Sequence, residues 1–322
     1  MQEFVAAKWL TNPHLQTILP RIIRKKPLFE PIWQRINTPD GDFLDLCWTE
    51  SPDKTANKPI VILFHGLAGG FCSPYANGLL HSVKQQGWVG VLMHFRGCSG
   101  QINRKPYSYH SGETSDARFI LELLEQKYRR TMVAVGISLG GNMLIKYLAE
   151  YSNNPLIKAG MAVSPPLDLA ACSERLQQGF SRIYQAYLLR LMNKSLREKL
   201  LRHVQIGKIT KLGQTHFSSI YQFDNLVTAP LHGFTDADSY YQQCSGIFAL
   251  NQIQAPLKII HAKDDPFMTE AVIPSFLLPK NIEYHLTEQG GHVGFIGGSI
   301  TNPTFWLEQE VPNWLKSYLT GE

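Results

Sequence analysis

Apolar positions along the chain switch between two periods. Phe43 to Trp48 alternates apolar and polar residues after the turn-forming pair Asp40-Gly41, as a half-buried strand does. Pro59 to Phe64, Trp88 to Phe95, Thr131 to Gly136, Gly160 to Val163 and Leu257 to His261 are short apolar runs rich in β-branched residues, and Ile282 to Leu286 is strand-like. Each is long enough only for a buried strand. Between them, Asp116 to Tyr128 and Asn142 to Tyr151 carry apolar residues at helical spacing. Strands alternating with helices predict an α/β fold: a mostly parallel central sheet covered by helices on both faces.

The alternation stops between Asp168 and Asn251. There Phe180, Ile183, Tyr184, Tyr187, Leu188, Leu191 and Met192 fall on one face of an amphipathic helix, and no strand pattern stands out. The stretch 168–251 therefore reads as a helical cap or lid inserted over the carboxyl ends of the sheet, where α/β folds bind ligands. Its apolar stripe suits packing of the lid or the lining of an acyl-chain pocket. Residues 41–167 and 252–322 form the expected core. Residues 1–40, broken by Pro13, Pro20, Pro27 and Pro31, read as an irregular arm.

Composition changes this picture little. With 322 residues, 44% hydrophobic and 18% charged, the chain has enough apolar material for one large core. A net charge of +5 is too small and dispersed for a nucleic-acid footprint. The one local basic run, Arg21, Arg24, Lys25 and Lys26, reads as a solvated edge of the arm, with weak membrane-surface contact as the alternative. Five scattered cysteines without a C-x-x-C pair suggest free thiols. Neither a signal segment nor a membrane-spanning run is visible, so the expectation is a soluble, cytoplasmic protein.

Candidate chemistry centres on Gly136-Ile137-Ser138-Leu139-Gly140. A G-x-S-x-G string alone is weak, but this one joins a predicted strand to a predicted helix, the setting of a nucleophile elbow. A serine hydroxyl needs a base within reach and a carboxylate to orient that base. Downstream, His292 lies in the loop Gln289 to Phe295 after the last predicted strand, and Asp264-Asp265 closes the strand Leu257 to His261. Adjacent aspartates in a turn point different ways. Asp265 is taken to face the histidine, leaving Asp264 to cap the turn or meet solvent. The chain order Ser, Asp, His is that of α/β hydrolases.

A tetrahedral oxyanion needs preset backbone donors. Leu139, after the nucleophile, supplies one; Leu67, in His65-Gly66-Leu67-Ala68-Gly69-Gly70, supplies the other, with His65 as a positioning residue. No cofactor or metal is expected, because neither phosphate-loop pattern fits that glycine run and neither H-E-x-x-H nor a Cys/His cluster occurs. His110 and Asp116 stand one residue too far apart for an H-x-x-x-x-D acyltransferase box and read as a turn and helix start.

Several strings together resemble the YheT-like hydrolases of bacteria, a group similar to yeast ethanol acyltransferases and animal α/β-hydrolase-domain lipases. They are Pro13 to Thr17, His65 to Leu67 with Ser73 to Tyr75, His94 to Gly100, His110 to Asp116, Gly136 to Asn142, Asp264 to Phe267 and Gly290 to Phe295. The resemblance spans nearly the whole chain. It implies the α/β-hydrolase fold, triad roles for Ser138, Asp265 and His292, and esterase or acyl-transfer activity on short to medium acyl esters. Transfer to an alcohol differs only in the nucleophile that resolves the acyl-enzyme. A non-catalytic binding protein that keeps the fold is the reading from another class.

Overall fold

The computed structural model describes residues 3–55, 57–210 and 216–319. Its centre is an eight-stranded sheet ordered β1-β2-β4-β3-β5-β6-β7-β8. The strands are β1 (Ile32–Asn37), β2 (Phe43–Trp48), β3 (Ile60–Phe64), β4 (Val89–Met93), β5 (Met132–Ile137), β6 (Gly160–Val163), β7 (Leu257–Ala262) and β8 (Ile282–Thr287). β2 runs antiparallel to both β1 and β4, and β3 to β8 are mutually parallel. The remaining strands, β9 (Ile296–Gly298) and β10 (Pro303–Phe305), form a separate antiparallel pair.

Side-chain alternation decides what each face of the sheet meets. Ile60, Ile62 and Phe64 of β3, with Met132 and Ala134 of β5, pack against Ala117, Ile120, Leu144 and Leu148. These belong to α3 (Ser115–Tyr128) and α4 (Leu139–Glu150). Val61, Leu63, Val133 and Val135 point the other way, to Leu79, Val83, Val311 and Leu315. Those lie on α2 (Pro74–Gln85) and α11 (Leu307–Leu319). Both faces of the strands are thus dry, as the continuous apolar runs require.

The first forty residues differ from the irregular arm expected. They include β1 and a helix, α1 (Pro13–Ile23). Pro13 stands at the first helical position, where an N–H would lack a partner anyway, and the Asn12 side chain accepts from the amides of His14 and Leu15. Pro20 is tolerated inside because it removes a single ladder bond, and its own carbonyl still accepts from Arg24 N at 2.9 Å. The basic run is not simply solvated either. Arg24 pairs with Glu308 and lies 3.6 Å from the Phe305 ring centre, and Arg21 donates to Tyr187 Oη.

Between β6 and β7 the described chain is helical: α5 (Leu169–Arg175), α6 (Ser181–Arg202), α7 (Gln205–Ile209), α8 (Ile220–Phe223), α9 (Ala229–Leu231) and α10 (Ala237–Cys244). Leu176, Tyr184, Leu189, Leu196, Phe223 and Val227 form an apolar cluster of their own there. Among the described residues, no helix is long and apolar enough to cross a membrane.

A buried ion pair locks α11 to the sheet. Lys258 of β7, wholly buried, reaches Glu310 at 2.6 Å and Glu283 at 2.9 Å. Removing one partner strands a charge, whereas apolar replacement of both is tolerated. Glu310→Ala is therefore expected to cost about 3 kcal/mol, the low end for a broken buried pair because Glu283 remains. Urea unfolding should show the Lys258→Met/Glu310→Leu double variant losing clearly less.

Candidate active site

Because β3, β5, β7 and β8 run parallel, the loops that leave them open at one edge of the sheet. That edge collects the candidate residues. Ser138 follows β5 and immediately precedes α4, with φ +51° and ψ −119°, a conformation L-residues rarely adopt. Its amide donates to Val163 O at 2.8 Å, and its carbonyl accepts from Gly141 N and Asn142 N, so both sides of the strained residue are held. The flanking glycines are sterically required. A Cβ on Gly136 would lie 2.4 Å from Gly140 O, and one on Gly140 would lie 2.4 Å from Phe64 O.

His292 comes from the loop after β8. Its Nε2 lies 3.1 Å from Ser138 Oγ, and its Nδ1 lies 2.9 Å from Asp265 Oδ2. Asp265, at the end of β7, has a side chain with no solvent exposure, and its second oxygen accepts from Phe267 N at 2.8 Å. Anchored by Phe267 N, Asp265 can orient the imidazole with Nδ1 as donor, an arrangement in which Nε2 is free to accept a proton from Ser138.

Asp264 does more than cap its own turn or meet solvent. It accepts from Gly291 N at 2.9 Å, bracing the backbone of the histidine loop, and burial raises its carboxyl above the usual range. The two aspartates thus serve one loop, one through the ring and one through the main chain.

Further supports come from residues to which the sequence reading gave no role. Thr17 of α1 accepts from His292 N at 2.9 Å and donates to Pro13 O at 2.7 Å. Gln16, fully buried, bonds Leu10 O, Ile296 O and Ile296 N, stitching α1 to the start of β9, just past that loop. The Phe267 ring stacks on His292 with centres 4.0 Å apart and planes 3° from parallel. None of these contacts has a local signature, although Gln16, Thr17 and Phe267 lie in motifs quoted for the family resemblance.

The glycine run after β3 lies against the nucleophile, such that a Cβ on Gly66 would come within 3.3 Å of Ser138 Cβ. Gly66 N donates to Tyr75 Oη and Ala68 N to Tyr109 Oη, each at 2.8 Å. Among the described residues, the Leu67 amide between them has no acceptor. Leu139 N, in the first turn of α4, is likewise outside the helical ladder. Burial lowers the His65 pKa to about 3 and keeps the ring neutral. Its Nδ1 meets Gly66 O at 2.8 Å and its Nε2 accepts from Phe95 N at 3.0 Å, so it ties the β3 loop to the β4 loop.

Ser138 and His292 open into a cavity of about 760 Å³ with a mainly apolar wall. α6 contributes Tyr184, Tyr187, Leu188, Leu191 and Met192 to it. Ile183, about half exposed, also borders it, whereas Phe180, the first residue of the stripe, is half exposed and does not. Asp224 is also in the wall, bonded to Thr228 Oγ1 at 2.7 Å and Tyr241 Oη at 2.8 Å. Its burial raises the carboxyl pKa from 3.8 to about 6, so the folded chain keeps a proton that the unfolded chain releases. Stability from this group is full below the unfolded value and is lost as pH rises through the folded one. Asp224→Asn has no proton to release. Relative to wild type it is expected to gain up to about 3 kcal/mol between about pH 4 and about pH 7. Urea unfolding of both proteins at the two pH values measures this.

A strained serine at a strand-to-helix turn, a histidine and a carboxylate in that chain order, and a parallel sheet beneath them define a class. The chain belongs to the α/β-hydrolase fold family, whose sequence model matches residues 59–299. YheT of Escherichia coli K12, assigned by its name as an esterase, is 48% identical over 322 residues, 99% of this chain and 95% of YheT. Bovine phospholipase ABHD3 is 27% identical across 97% of this chain and 77% of its own length. The monoacylglycerol lipase of Saccharomyces cerevisiae is 30% identical across 74% of this chain and 55% of its own. Among solved structures, the Pyrococcus furiosus esterase Pf2001 superposes with a TM-score of 0.59 at 17% identity. It covers 98% of this chain and 97% of that one, a likeness of fold.

Proposed function

We propose that this protein is a serine esterase that cleaves carboxylic esters of short to medium acyl chains through an acyl-enzyme on Ser138. The observation that carries the reading is the unbroken line from Ser138 Oγ through His292 to buried Asp265, at the wall of an apolar cavity. In this reading His292 takes the serine proton as Oγ attacks the ester carbonyl, and Asp265 stabilises the imidazolium that forms. The amides of Leu67 and Leu139 hold the oxyanion. The alcohol leaves with the proton from His292. Water, activated by the same imidazole, then releases the acid and restores Ser138.

The acyl group lies along the α6 stripe, and residues 168–251 act as a cap over the core of residues 41–167 and 252–322. Water exclusion by that cap strengthens every charge interaction in the site. The esterase and lipase names of the relatives favour the same reaction class. A p-nitrophenyl ester series from acetate to palmitate tests it. The reading expects a rate maximum at short to medium chains, because an apolar cavity of finite depth rewards added methylenes only until it is full. Absence of turnover across the series would refute it. Carrying out the assay with added ethanol separates hydrolysis from transfer, since hydrolysis yields free acid as the main product.

A further inference from the structure

The cavity wall is not apolar throughout. Lys199 of α6, Ser108 and His110 of the segment before α3, and His232 after α9 all line it. Lys199 is only 4% exposed. Its ammonium donates to Tyr107 O and, at 3.0 Å, to Ser108 Oγ, which leaves one of its three hydrogens unassigned. No described carboxylate lies within 4.0 Å of it. A lysine buried this deeply is ordinarily paired with an anion.

A second observation points the same way. His232 Nε2 is buried without a hydrogen-bond partner among the described residues. Lys199 and Arg96 both place positive charge near His232, and Arg96 is already engaged by Asp40, Asp42 and Asp116. His110 Nδ1 accepts from Gly112 N at 3.2 Å, so in the neutral ring its Nε2 carries a proton. Glu113 lies 3.7 Å from that Nε2 and does not reach Lys199, and Asp42, whose charge acts on Lys199, does not pair with it within 4.0 Å.

We propose that this pole of the cavity binds an anionic oxygen group, a carboxylate or a phosphate, carried by the substrate at a distance from the scissile ester. The proposal rests on the esterase reading of Ser138 and adds a charge preference to it. A metal ion suits the same place poorly. His110, Glu113 and His232 do bring one ligand atom each within 4.8 Å of one another. It is the positive charge of the buried Lys199 ammonium, which also acts on His232, that opposes a cation there.

The preference is measured with p-nitrophenyl half-esters of dicarboxylic acids, run from succinate to dodecanedioate, against partners whose far carboxyl is methylated. At the length that spans Ser138 and Lys199, the free acid is expected to show kcat/KM about 10-fold above its methylated partner, the scale of a hydrogen bond to a charged group. Lys199→Met should bring that ratio to about one, and Lys199→Arg should restore part of it. A merely structural lysine would leave the ratio unchanged. Calorimetric titration with octyl phosphate, octanoate and octanol needs no turnover. The two anions should bind about 10-fold tighter than octanol, the stronger of them showing which group fits, and Lys199→Met should erase the difference. If Lys199→Met does not fold, His232→Leu should reduce the same difference. A ratio at or below one at every length, or an anion preference that survives Lys199→Met, overturns the anion site. Failure of all esters with anion binding retained would instead sink only the esterase reading.

Discussion

Ser138→Ala is expected to lower kcat on a p-nitrophenyl ester by roughly 10⁶-fold, to the level left by binding and oxyanion donors alone. The variant should keep its fold, since alanine fits the same backbone space and the amide still donates to Val163 O. Triad members act as a unit, so adding His292→Ala to Ser138→Ala should cost almost nothing further. A second loss of comparable size would mean that His292 serves some other step. Single-turnover rates, with melting curves as the check on folding, distinguish these outcomes.

Asp265→Asn is expected to reduce kcat by about 10⁴-fold with little change in KM. The carboxylate accepts from Nδ1 and therefore fixes the tautomer whose Nε2 faces Ser138 Oγ. An amide can present its NH₂ instead, leaving the serine-facing nitrogen protonated and unable to act as base. Its neighbour supplies a matched control. Asp264 touches the Gly291 amide and not the imidazole, so Asp264→Asn should act on loop stability, with the far smaller activity loss. Equal losses in the two variants would contradict the assignment of roles.

Much of the fold is visible in the amino-acid pattern because strands buried on two faces leave continuous apolar runs. Phe43–Trp48 and Gly160–Val163 are strands at the residues read from the pattern, and the other runs differ by one or two residues at their ends. The amphipathic stripe from Phe180 is a real helix, α6, which continues to Arg202. What stayed hidden near the N-terminus is α1, because its prolines mimic breakers. Pro13 and Pro20 are acceptable only through their positions relative to Asn12 and Arg24. β1 was hidden for a different reason: it is an edge strand, half exposed, and has no apolar run to announce it.

The site divides along the same line. Ser138, Asp265 and His292 each close or follow a recognisable strand, so their types and order suggest the chemistry, and the structure brings all three together. The contacts that hold them are long-range. Thr17 meets the His292 amide across 275 positions, and the Phe267 ring covers the imidazole through a turn whose shape no local rule dictates. The role of Asp264 was missed because a turn argument considers only the turn itself. Its real partner lies in another loop, 27 residues away.

Labelling of the folded wild-type protein with a fluorophosphonate probe, followed by peptide mapping, addresses the nucleophile most directly. The proposed chemistry predicts a single phosphonylated peptide bearing the adduct on Ser138, with labelling abolished in Ser138→Ala and strongly slowed in His292→Ala. An unlabelled wild-type protein, or an adduct that persists in Ser138→Ala, would contradict it.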